Sequence, residues 1–84
     1  MNTDEIEKLI ENHINTEAVD VRSDDGTHFA ALVVSRDFEG LRPLQRHQLV
    51  YAALGDKVGR EIHALSIQAS TPDEWRRDSG AGRD

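Results

Sequence analysis

The chain has 84 residues, with sixteen acidic against ten basic side chains, a net charge of -6 at pH 7, no cysteine and 37% hydrophobic residues. A chain this short buries only about 60% of the surface that its unfolded form exposes, which leaves little room for a deep catalytic cavity. Zero cysteines exclude a disulfide scaffold, a zinc ribbon and a thiolate-only iron–sulfur site within the chain.

The first helix is expected over about residues 4–14. Thr3 can cap it, Asp4 and Glu5 suit the positive end of its dipole, and Ile6, Leu9, Ile10, His13 and Ile14 form one stripe. Ala18 to Arg22 alternates apolar and polar residues, which suits a half-buried strand. Ser23-Asp24-Asp25-Gly26-Thr27 is turn chemistry, and Asp-Gly is its strongest signal. His28 to Ser35 follows as an apolar strand, so the two strands form a hairpin.

Phe38 to Arg42 reads as a loop. A second helix is expected over 43–56, opened by Pro43, with Leu44, His47, Tyr51, Leu54 and Val58 as its stripe. Ile62 to Ala69 reads as the third strand, with His63, Leu65, Ile67 and Ala69 on one face. Thr71-Pro72-Asp73-Glu74 is a capping box that starts a short helix carrying Trp75. Residues 79–84 read as a disordered tail after a single domain over 1–78. The order α-β-β-α-β-α gives an α+β fold, a three-stranded mixed sheet with helices on one face.

No segment approaches the roughly 18 apolar residues of a membrane span. Met1-Asn2-Thr3-Asp4-Glu5 lacks the basic and apolar regions of a secretory signal. The expectation is a soluble, cytoplasmic protein. Its acidic excess is confined to residues 1–27, where eight acids face two bases, while residues 28–84 are neutral. Nucleic-acid binding normally needs a basic patch, so the charge disfavours it. Arg36, Arg42 and Arg46 are the candidates for such a contact, and solvated charges on a loop and a helix explain them equally well.

The sequence has no phosphate-binding glycine loop and no convincing nucleophile–base arrangement, so an enzyme is not expected. Four histidines are its one unusual supply of reactive groups. His13 reads as a packing residue on the first helix, and His47 as a core-edge histidine bonded to backbone. His28 follows the hairpin turn, either as an exposed strand-start residue or as a reachable ligand. His63 is either a satisfied core histidine or a ligand. If the second and third strands are neighbours, His28 and His63 lie near one end of the sheet. Imidazole suits zinc, copper and iron, but two imidazoles complete no four-coordinate site. Carboxylates, water or another chain would supply the rest.

Along residues 4–78 the chain resembles the BolA-like family. The matching segments are Phe38-Glu39-Gly40, Arg46-His47-Gln48-Leu49-Val50-Tyr51, Arg60 to Ile67 and Thr71-Pro72-Asp73-Glu74-Trp75. Ser23 to Phe29 is similar to the histidine-type, IbaG-like branch, in which a histidine replaces a loop cysteine. The resemblance implies a class II KH-like fold. It also implies a pairing with a monothiol glutaredoxin, around a shared [2Fe–2S] cluster supported by glutathione, in iron–sulfur trafficking or in iron and stress regulation. The family's C-terminal histidine ligand falls on His63 and its loop ligand on His28. Two thiolates on one iron and two histidines on the other would resemble a Rieske centre, with a raised potential. Some relatives are described as transcription regulators, yet the GxxG loop of RNA-binding KH domains is absent here. Without its partner the chain is expected to be a monomer or a weak homodimer, through the edge of its sheet.

Overall fold

A computed structural model describes residues 1–78, so the expected tail over 79–84 lies outside the described residues. Helix α1 spans Thr3–His13, strands β1 and β2 span Thr16–Arg22 and His28–Ser35, helix α2 spans Pro43–Leu54, strand β3 spans Ala64–Ser70 and helix α3 spans Pro72–Arg76. Short 3-10 turns cover Arg36–Phe38 and Gly55–Lys57. The sheet order is β1-β2-β3, antiparallel in the hairpin and parallel between β2 and β3. The expected element order and mixed sheet are present.

Helix α1 is capped by Asn2 rather than Thr3. Asn2 Oδ1 accepts the Glu5 N–H at 2.9 Å, and Glu5 Oε1 accepts the Asn2 N–H at 2.9 Å. Such a box needs an acid or amide three residues after the cap. Asn2 has Glu5 there, whereas Thr3 has Ile6. Ile6 and Ile10 are fully buried and join Val21, Phe29, Ala31, Val33, Phe38, Val50, Ala53, Leu54 and Ile62 in one core. Burying a side chain as large as Phe38 contributes about 1.5–3 kcal/mol.

Alternation fixes the two faces of the sheet. Phe29, Ala31 and Val33 are buried, while His28, Ala30, Ser66 and Gln68 face outward and are exposed. Val34 departs from this pattern: it is fully buried outside the main core, on strand β2, which α3 contacts together with β3. Glu7 of α1 closes part of the β1 edge, since its Oε2 accepts the Val21 N–H at 2.9 Å. Strand edges with unsatisfied N–H groups invite pairing with other chains, and a carboxylate cap blocks one such group.

Two further expectations are corrected. The stripe on α2 is not Leu44, His47 and Tyr51, because Leu44 is 69% exposed and Tyr51 39% exposed. The inward face carries Val50, Ala53 and Leu54, and with them Arg46, whose side chain is only 12% exposed. A hydrophobic-stripe reading assigns an arginine to solvent, which turns the helix the wrong way. The third strand begins at Ala64 rather than Ile62. Ile62 instead forms an isolated bridge with Val58 around a turn at 59–61, and His63 sits in a bend before the strand.

Arg46 ties the far end of the sheet together. Its Nε donates to the Leu41 carbonyl at 3.0 Å, and Nη1 donates to the Ala69 carbonyl at 3.2 Å. The same guanidinium grips Glu74 at both oxygens, at 2.6 and 3.2 Å, and lies 6.0 Å from the centre of the Phe38 ring. Bidentate arginine–carboxylate pairs are among the stronger polar contacts in proteins. The Arg46 guanidinium, followed by the Thr71 N–H, pulls the Glu74 carboxyl down to about 2.

Candidate functional site

The hairpin turn is braced by its own side chains. Gly26 takes φ +79°, in the left-handed region that a residue without a Cβ enters at no steric cost. Its N–H donates to Ser23 Oγ at 2.9 Å, and the Ser23 hydroxyl donates to the His28 carbonyl at 2.7 Å. Asp25 Oδ1 accepts the N–H groups of Thr27 and His28, both at 2.9 Å. Its other oxygen lies 2.7 Å from His28 Nδ1. The backbone N–H of His28, then that of Thr27, holds the Asp25 carboxyl well below the usual carboxylate range. His28 itself stays open to solvent, with its side chain 67% exposed.

The parallel register of β2 and β3 brings the second histidine to the same end. His28 is the partner of Ala64, and the His63 N–H donates to the Thr27 carbonyl at 3.0 Å. His28 and His63 are thus one register step apart across adjacent strands. His28 belongs to the outward face with Ala30. His63 lies in a bend outside the regular alternation, exposed rather than packed with Leu65 and Ile67. Its ring has no polar partner among the described residues. Among the described residues no three His, Cys, Asp or Glu side chains gather as a metal site. The donor set is therefore two accessible imidazoles, which fits a metal or cluster completed by another molecule and does not fit one held by this chain alone.

The remaining candidates separate clearly. His13 is exposed at the end of α1, its Nδ1 2.9 Å from the Leu9 carbonyl, and is not a packing residue. His47 is half-buried, and the expected backbone bond is absent among the described residues. Arg46 is not a solvated charge but a side chain only 12% exposed, with four of its five N–H donors on Leu41, Ala69 and Glu74, which makes it an internal structural residue. Arg36 and Arg42 are exposed, but Arg36 shares a surface hollow with Glu11 and Glu17. A shallow trough on the open sheet face, lined by Arg22, Ala30 and Ser66 among others, runs up to His28. Sequence reading missed Asp25. Its signal is the spacing Asp25-Gly26-Thr27-His28, which folds a carboxylate back over the turn onto the histidine.

Residues 3–74 match the BolA-like protein family. The chain belongs to the BolA-like family. Human BolA-like protein 1 is 45% identical over 83 residues, covering 88% of this chain and 61% of the human protein. The chain thus spans about three fifths of that relative's length. The acid stress protein IbaG of Escherichia coli is 38% identical over 79 residues, covering 93% of each chain. The DNA-binding transcriptional regulator BolA of Haemophilus influenzae is 42% identical over 50 residues, covering 60% of this chain and 48% of the regulator. The solution structure of BolA1 from Mus musculus superposes with a TM-score of 0.84 at 37% identity, over 93% of this chain and 71% of that one. No helix among the described residues is long and apolar enough to cross a membrane.

Proposed function

We propose that this BolA-like chain is a non-enzymatic adaptor that pairs with a monothiol glutaredoxin and shares a [2Fe–2S] cluster with it. His63 and His28 hold one iron, and the glutaredoxin cysteine and a glutathione thiolate hold the other. The cluster supplies redox-active iron when bound; the chain supplies two neutral imidazoles and their spacing. The role is iron–sulfur trafficking, or iron and stress regulation, in the cytoplasm. One observation carries the reading: the β2–β3 register sets two exposed histidines at one end of the sheet in a chain with no cysteine.

The test is anaerobic reconstitution of a monothiol glutaredoxin with iron, sulfide and glutathione. Adding this protein is expected to change the visible circular dichroism of the cluster, His63→Ala to abolish that change, and His28→Ala to reduce it. An unchanged spectrum on adding the wild-type protein overturns the proposal. Because ligating imidazoles must be neutral, acidification below about pH 6.5 is expected to weaken the hetero-complex.

Duplex-DNA binding is the competing reading, supported by the regulator among the relatives. Against it stand the occupied Arg46, the acids around Arg36 and the net charge of -6. It predicts salt-dependent binding that weakens in Arg42→Ala.

A further inference from the structure

His28 and His63 differ in how their rings are held. The His63 ring has no polar partner among the described residues, so nothing there selects which nitrogen carries its proton. The His28 ring does have one. Its Nδ1 lies 2.7 Å from Asp25 Oδ2, with Thr27 Oγ1 at 3.2 Å. An ionised carboxylate can only accept, so Nδ1 must carry the proton and Nε2 the lone pair.

The carboxylate is also placed independently of the ring. Asp25 Oδ1 is fixed by two backbone N–H groups, and the turn around it is closed by Ser23 and Gly26. The imidazole therefore meets an acceptor already in position. In metal sites such carboxylate–histidine pairs fix the ring orientation and strengthen the ligand, and they matter nearly as much as the ligand itself.

We propose that Asp25 is a positioning residue that locks His28 in the Nδ1–H tautomer and so presents Nε2 as the loop's ligand atom for an iron centre. The consequence for the cluster rests on the adaptor reading, whereas the tautomer does not. His28 becomes a pre-oriented ligand and His63 an adaptable one, so the loop sets the direction from which iron is met.

The tautomer is read by long-range proton–nitrogen correlation spectroscopy on the 15N-labelled apo protein near pH 8, where imidazoles are neutral. His28 is expected to be almost wholly Nδ1–H. In Asp25→Asn the amide oxygen keeps the backbone N–H groups and the amide NH2 faces the ring as a donor. Nδ1–H is then expected to fall to a minority. Asp24→Asn removes the same charge next door without touching the ring and should leave His28 unchanged, as should either variant for His63. A wild-type His28 that is mainly Nε2–H, an unchanged tautomer in Asp25→Asn, or an equal effect of Asp24→Asn overturns the proposal. The wild-type measurement stands even if the variant turn fails to form.

In the reconstituted complex, Asp25→Asn should weaken binding by about 10- to 100-fold. An inverted tautomer with unchanged binding overturns the positioning role. If instead His28→Ala and His63→Ala both leave the cluster spectrum untouched, the adaptor reading fails while the tautomer assignment is still decided by the apo spectra.

Discussion

At one end of β3, Arg46 joins the loop at Leu41, the strand at Ala69 and helix α3 at Glu74, over the ring of Phe38. At the other end, the side-chain hydrogen bonds of the His28 turn all close within residues 23–28. Ala64 and Ala69 are roughly 17 Å apart along the strand, so the two arrangements share one sheet and touch different parts of it. The first is long-range, half-buried and spent on holding elements together. The second is local and exposed, and sets a carboxylate against the ring of an exposed histidine. Element-to-element tethering and the exposed histidine turn thus lie at opposite ends of the same strand pair.

The largest effects should come from breaking the Arg46 end. Phe38→Ala is expected to lower the unfolding free energy by about 3–5 kcal/mol through lost burial and a cavity. Arg46→Met is expected to cost about 2–3 kcal/mol, because it strands the Ala69 and Leu41 carbonyls and leaves Glu74 without its partner. Urea denaturation measures both. A loss below about 0.5 kcal/mol in Arg46→Met would mean that the network is ornamental.

A smaller effect follows from pH. Glu74 sits at about 2 in the folded chain against an ordinary 4.5. A depressed carboxylate contributes stability above its unfolded pKa and loses it as pH falls through the folded one. The wild type should lose this increment between about pH 4.5 and about pH 2, and Glu74→Gln should flatten that part of the acid limb. Identical acid limbs would remove Glu74 from the account.

The smallest effect should appear at the other end. His28→Ala and His63→Ala are expected to leave stability within about 0.5 kcal/mol of wild type, as exposed substitutions do. A large loss from either would erase the contrast between the two ends.

Much of this was legible in the residues. The Asp25-Gly26 pair placed the hairpin, the apolar run placed β2 at His28–Ser35, and Thr71-x-x-Glu74 placed the start of α3. Those signals are local, and local chemistry decides them. The face of α2 was not legible, because the value of Arg46 inside depends on Glu74, twenty-eight residues away. The His28–His63 juxtaposition was only half legible. Each histidine stands near a strand start, but the parallel register that aligns the strands is set by the whole crossover through α2. Asp25 was hidden for another reason: its role appears only once the turn folds its carboxylate onto the ring.

Because the side-chain bonds of the hairpin turn close within it, and only the Thr27 carbonyl reaches the next strand, residues 23–28 form an exchangeable cassette. A different donor at position 28 would need a new set of partners from within six residues and none from the core. Under the proposed adaptor role, changes in ligand type can therefore accumulate in this segment while the Arg46 end holds the scaffold constant. The sheet fixes where the side chain at position 28 stands; the cassette decides what holds it.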